Sequence, residues 1–313
     1  MIEVRRYNPS CDAKIWNQFV ADSKQGTFLL HRSYMDYHRD RFTDHSLMIY
    51  RNGKLYGLLP GNESKPIFYS HQGLTYGGLI TSDKATTADI CDVFCHINEY
   101  LREAGFQTVI YKPIPWIYHH IPAEEDLYAL FKECHAQLVG RNIAAVIDQQ
   151  HAPRWYNIRK AGARKASQAH ITIERSEDYT QYWQILTDNL MHTYQAHPVH
   201  TLEEISLLKS CFKDNIQLYV ARQEDKMLGG VLLYITPQVV HTQYISASEE
   251  GKQKHALDAL FYHLIKEVFS DYKYFDFGTS NEDQGRILNS SLIYQKEGFG
   301  GRGVVYDTYK WKL

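Results

Sequence analysis

Apolar positions recur at strand and helix spacing along most of the chain, and the densest pattern runs from Ile216 to Gly278. Ile216–Ala221 alternates and is rich in β-formers, Glu224-Asp225-Lys226 reads as a hairpin turn, and Leu228–Ile235 is a second apolar run. After Pro237, Val239–Ala247 predicts a third strand and Glu249–Lys254 a polar, glycine-bearing loop. Leu257, Leu260, Phe261, Leu264, Ile265 and Val268 then share one helical face. Tyr274–Phe277 returns as a short buried strand ending in Gly278.

The first half repeats this order. Ile2–Arg5 predicts a strand, and Ile15, Trp16, Phe19 and Val20 mark one face of a helix, with another helix over Ser33–Arg41. Leu47–Tyr50 and Leu55–Leu59 flank Asn52-Gly53, a strong hairpin dipeptide. Strands follow near Phe68 and over Leu74–Ile80, then a helical face at Ile90, Val93, Phe94, Ile97 and Leu101, and a strand at Gln107–Tyr111. Leu127, Leu130, Phe131, Cys134 and Leu138 predict one more helix, and Ala144–Ile147 a short strand. Trp16 recurs as Trp183, Phe42–Asp44 as Phe212–Asp214, and the helical face at Ile90 as that at Leu257. All are displaced by about 170 residues, the mark of a duplicated domain.

Composition narrows the setting. A chain of 313 residues accommodates two domains of about 150 residues each. A net charge of −2 supplies no global field for nucleic acid or a membrane surface, so any polyanion needs a local patch. The 24 tyrosines suit a groove that is apolar yet hydrogen-bonds. Five cysteines without a C-x-x-C pair, and an N-terminus without a long apolar run, predict a reducing, cytoplasmic setting with no membrane insertion. His192, His197 and His200 lack metal-ligand spacing, so no metal is expected.

Two further features bear on chemistry. Asp276 stands between Phe275 and Phe277 in an apolar strand, where a carboxylate is either raised in pKa as a base or simply paired. Arg159, Lys160, Arg164 and Lys165 fall at near-helical spacing. They read either as a phosphate-binding stripe, fit for a nucleotide-linked acceptor or a tRNA acceptor stem, or as a solvated helix face.

The meander–loop–helix–strand order on duplicated halves joins two further pieces. One is the basic segment Tyr156–Ala161 with Arg164-Lys165. The other is the run Phe275-Asp276-Phe277-Gly278, Asn281, and Leu292 to Gly300 with Tyr294, Lys296 and Phe299. Together they resemble the FemAB-like branch of the GNAT acyltransferase superfamily. The resemblance implies an α/β fold of two tandem GNAT-like domains, 1–150 and 151–313, each a mixed, mostly antiparallel sheet flanked by helices. The second would carry the acyl-donor site.

The resemblance also implies chemistry. Lys296 matches the motif lysine before Phe-Gly and would neutralise negative charge at the acyl centre, with Asp276 and Tyr244 as further catalytic candidates. His241, like Tyr244, would face the donor cleft or pack in the core. The cleft would lie where the third meander strand splays from the next, so Ile245, Ser246 and Ala247 would contact the donor. Gly251, Lys252 and Lys254 stand in a pyrophosphate loop reduced to one glycine, with Asn281 also on the donor side. Arg159, Arg164, Tyr294 and Phe299 would meet the acceptor. No long charged helical-hairpin insertion is present. The first expectation is an N-acyltransferase using acyl-CoA, acetyl-CoA foremost, on an amine of a small molecule or nucleotide-linked sugar. Behind it stand an aminoacyl-tRNA-dependent transferase acting on a cell-wall precursor and a non-catalytic binding module.

Overall fold

A computed structural model of the chain describes residues 1–313, the side chain of Tyr194 excepted. Two compact units emerge. The first comprises Met1–Asn142, Asn281–Ile287 and Val305–Leu313, and the second Ile143–Ser280 and Leu288–Val304. Where the sequence predicts two consecutive halves meeting near residue 150, the chain instead returns to the first unit twice after building most of the second.

In the first unit, β1 (Ile2–Arg6) pairs with β2 (Leu47–Arg51), which turns into β3 (Lys54–Leu59). Asn52 and Gly53 take positive φ at the turn, the geometry that the Asn-Gly pair favours. Helix α1 (Ala13–Asp22) buries Trp16 and Val20. A second sheet runs through β4 (Ile67–Tyr69), which lies parallel to β5 (Thr108–Tyr111). β5 in turn pairs with Tyr309–Lys312 of the C-terminal strand. Between β4 and β5 in sequence lies α2 (Thr87–Glu103), whose Ile90, Val93, Phe94, Ile97 and Leu101 join Leu47, Phe68, Val109 and Trp311 in the core. Each such buried side chain contributes about 1.5–3 kcal/mol.

Three expectations in this unit change. Only Ile80–Thr81 of the run from Leu74 enters a sheet. At Gly77 the chain lies so close to the Ser70 carbonyl that a Cβ would collide with it, and the Gly77 N–H donates to Lys112 O at 3.1 Å. Helix α3 (Glu125–Lys132) stops short of Leu138, because His135 takes a left-handed φ of 47° and Gln137 starts β6 (Gln137–Asp148). The Ser33–Arg41 helix is two short turns, Arg32–Met35 and Asp36–His38.

The second unit starts with α4 (Asn157–Gln168), followed by β7 (Thr172–Ser176), α5 (Tyr179–Tyr194) and α6 (Leu202–Cys211). Thr201 and Glu204 form a reciprocal cap at the start of α6. The meander β8 (Ile216–Gln223), β9 (Lys226–Ile235) and β10 (Val239–Ala247) is as expected. The expected loop after it is a short helix, α7 (Glu249–Gln253), leading into α8 (Ala256–His263) and a π-helical turn at Leu264–Val268. Gln149 Nε2 donates to the Ile265 and Phe269 carbonyls there, at 3.2 and 3.3 Å, satisfying groups that the widened turn releases. β11 (Tyr274–Thr279) and α9 (Ser290–Glu297) complete the unit. Its strands lie in the order β7-β8-β9-β10-β11-β6, antiparallel except for β10 with β11.

The run Ala161-Gly162-Ala163 explains how α4 seats against α8. A Cβ at Gly162 would collide with the carboxylate of Asp258. Gly162→Val is therefore expected to lose about 1–3 kcal/mol through overpacking. Urea unfolding checks this as a lowered midpoint at unchanged slope.

Candidate active site

Two strands part inside the second unit. β10 and β11 pair in parallel at Val239–Tyr274, Val240–Phe275 and His241–Asp276. Past these positions β10 runs on to Ala247 against β9, while the pairing of β11 with β6 slips between Asp276 and Thr279. Gly278 makes the slip feasible. Its φ of +68° suits a residue without a Cβ, and a Cβ there would stand 3.2 Å from His241 Cε1.

The redirected peptides organise three side chains. The Gly278 N–H donates to Asp276 Oδ1 at 2.7 Å. The carbonyls of Gly278 and Thr279 accept from Lys296 Nζ at 3.0 and 2.7 Å. The other carboxylate oxygen of Asp276 meets His241 Nδ1 at 2.8 Å. With the carboxylate accepting on both oxygens, His241 Nδ1 is the donor of this bond. Asp276 is fully buried and Lys296 is 6% exposed. Burial pushes the Lys296 ammonium down to about 8, with Asp276 acting in the other direction. Two of its three N–H groups are held by carbonyls, leaving one to donate.

The other donor-side candidates scatter. Ile245, Ser246 and Ala247 pair with Val231, Gly230 and Gly229 of β9. A strand directs its peptide groups alternately to both sides, so β10 offers half of them to the side that β11 has left. The Tyr244 hydroxyl lies 2.7 Å from His200 Nδ1, and its carbonyl accepts from Tyr182 at 2.9 Å. Gly251 is no open phosphate cradle. Its N–H donates to Ser248 Oγ at 3.1 Å, and a Cβ there would collide with the Leu228 carbonyl. Lys252 is 2.6 Å from Glu249 and Lys254 is 2.6 Å from Glu250. Hydrogen bonds from Lys226 and Lys254 hold the Glu250 carboxyl down to about 2. Asn281 falls in the first unit, where its Nδ2 donates to Gly285 O at 3.5 Å.

The acceptor-side candidates divide. Arg159 leaves the expected stripe and donates to the buried Asp258 at 2.9 Å, its guanidinium 5.1 Å from the Phe299 ring centre. Phe299 is 1% exposed and packs with Phe261, Phe277 and Trp155, so it is a core residue rather than a surface contact. Arg164 is exposed, as is Tyr294, whose ring lies 5.2 Å from that of Tyr156.

His241 carries more of the site than its place in an alternating strand signals. The bulge at Gln243, where Leu232 faces Tyr244 and Leu233 faces Thr242, removes the period that would say which way Tyr244 points. Nothing in the sequence pattern marks Tyr182 or His200 as partners of Tyr244. Among the described residues, no group of His, Cys, Asp and Glu is placed to hold a metal ion, and no helix is long and apolar enough to cross a membrane.

Residues 154–284 match the acetyltransferase (GNAT) domain family. The whole chain shares the fold of FemX at 11% identity, with a TM-score of 0.70 over 99% of this chain and 97% of that one. It is also similar to L-PGS from Bacillus licheniformis, at 11% identity and a TM-score of 0.57 over 98% and 92%. A tandem GNAT protein from the clavulanic acid biosynthesis pathway matches at 10% identity and 0.52 over 100% and 98%. These likenesses show the fold, which the chain shares with a tandem GNAT protein. No curated protein matches the chain in sequence.

The buried lysine has a measurable signature. Unfolding returns Lys296 from about 8 to its ordinary 10.5, so the unfolded chain binds the extra proton between those values. The wild type is expected to gain stability relative to Lys296→Met as pH rises through that window. Thermal midpoints of both proteins across it check the sign.

Proposed function

We propose that the protein is an N-acyltransferase whose reacting carbonyl sits where β10 and β11 part. The observation that carries this reading is the convergence of His241, Asp276 and Lys296 on the Gly278 turn. In the reaction an amine nitrogen attacks the acyl carbon, a tetrahedral oxyanion forms, and the donor's thiolate or alkoxide departs. His241 Nε2 takes the proton that the nitrogen must lose, while Asp276 holds the ring and stabilises it once charged. Lys296 supplies its remaining N–H and its charge near the developing oxyanion. Peptide groups of Ile245–Ala247 on the side away from β9 hold the acyl donor alongside, and this positioning supplies much of the acceleration.

The donor is acyl-CoA on the first reading, with acetyl-CoA the simplest case, and the acceptor an amine of a small molecule or nucleotide-linked sugar. A second reading, an aminoacyl-tRNA donor and a cell-wall precursor as acceptor, draws support from one observation. The segment that would cradle a pyrophosphate is a capped helix whose lysines are paired with Glu249 and Glu250.

Titration of the protein with acetyl-CoA, free coenzyme A and tRNA separates the two, because a ligand of the native state raises the thermal midpoint. A saturable rise with acetyl-CoA supports the first. A rise with tRNA alone that fades with salt supports the second, and silence with all three overturns both. With the donor identified, His241→Gln is expected to lower kcat by about 10²- to 10⁴-fold with KM little changed. The rate should also fall as pH rises through about 8, where Lys296 loses its charge, and that limb should vanish in Lys296→Arg.

A further inference from the structure

A polar side chain beside the parting strands has no part in the chemistry above. Thr242 follows His241 on β10 and is 5% exposed, and its Oγ1 is buried with no hydrogen-bond partner. Nearly every buried hydroxyl in a folded protein is paired, because an unpaired one has given up its bonds to water without replacing them. The hydroxyls of Tyr179 and Ser280 are in the same state, but neither residue stands on the strand that leaves β11.

Register places this hydroxyl. The last rung between β10 and β11 is His241–Asp276, so Thr242 is the first residue of β10 past the fork. On β9 it stands opposite Leu233, and directly opposed residues of an antiparallel pair point to one face. Leu233 lies in the core against which Ile293 of α9 packs. The same helix carries Lys296, whose Nζ reaches the Gly278 and Thr279 carbonyls. Thr242 thus faces the side of the sheet on which α9 packs. His241, one residue back, points to the other side, where Asp276 holds it.

We propose that the Thr242 hydroxyl donates to the carbonyl oxygen of the acyl donor and joins Lys296 in holding the oxyanion. The inference rests on the first reading of the donor, a coenzyme A thioester. A hydroxyl at the foot of the fork meets the tip of a donor laid along β10, and the acyl carbonyl is the hydrogen-bond acceptor at that tip. The Thr242 proton stays on its oxygen throughout. The C–N bond forms, the C–S bond breaks to release thiolate, and the proton shed by the amine goes to His241. The two faces of the fork then divide the work, with proton removal on one and charge stabilisation on the other. Because Oγ1 is closed to solvent in the free protein, the acyl group reaches it as β10 and β11 ease further apart.

Calorimetric titration of the full chain with acetyl-CoA and with S-ethyl-coenzyme A tests this without an acceptor, since the thioether lacks only the carbonyl oxygen. The wild type is expected to bind the thioester more tightly than the thioether. Thr242→Val should shrink that preference by about three- to tenfold, the scale of one hydrogen bond, and Thr242→Ser should keep it. Thr242→Val trades an unpaired hydroxyl for a methyl of the same shape, so the thermal midpoint of the free protein should not fall. A clear fall would reveal a structural partner for the hydroxyl and overturn the proposal. Equal affinity of the wild type for the two probes overturns it too, as does a preference that Thr242→Val leaves intact, and in both cases the acyl-transfer reading stands. Absence of binding by either probe overturns the proposal together with the coenzyme A reading of the donor.

Discussion

The second unit depends on one backbone event, the entry of Gly278 into a left-handed conformation inside a strand. That conformation ends the regular pairing of β11 with β6 at the point where β10 and β11 cease to pair. It also sets the peptides on either side of Gly278 so that the Gly278 N–H meets Asp276 and the Gly278 carbonyl meets Lys296. A residue with a Cβ would add strain there and press on His241. Strand divergence, carboxylate placement and lysine placement thus share a single cause, which is why the three side chains converge although they come from three elements.

Burial gives those side chains their chemical character. Asp276 is fully buried, where an ionised carboxylate survives only with donors on its oxygens. The Gly278 N–H and His241 supply them, so the imidazole is oriented by the same contact that stabilises the acid. Lys296 is buried beside them with carbonyls as its hydrogen-bond partners, and its pKa falls accordingly. A lysine out in solvent would keep its ordinary value and offer little to a developing oxyanion, because water screens it.

The two units repeat one order of elements with different emphasis. In the second, the third meander strand is long, and its C-terminal stretch leaves the neighbouring strand. In the first, the corresponding position holds only Ile80–Thr81, and the chain before it is packed as irregular structure against the residues around Ser70. The loop after β4 there stacks His71 on His38, and its Ser70 accepts from the Lys112 N–H. The core-forming helix and strands thus recur in both units while the loops at their ends differ, the usual division between scaffold and variable connection.

Sequence periodicity by itself determined the elements that bury one face. The meander at Ile216–Ala247, the helix stripes from Ile90 and Leu257, the Asn52-Gly53 hairpin and the doubled order were all legible, because a buried face imposes a period of two or of about 3.6 residues. Resemblance in the run ending at Phe299 also pointed to Lys296 and Asp276. Only tertiary structure decided the rest. Arg159 reads as a free basic residue until Asp258, distant in sequence, is found to neutralise it. Phe299 reads as a surface contact until it is found in the core, and Lys252 and Lys254 as phosphate ligands until Glu249 and Glu250 pair with them. The pairing of His241 with Asp276, and the stack of His38 on His71, depend on strand register and loop approach. Periodicity says which face of an element is buried, but which charge a side chain meets is fixed by segments far away along the chain.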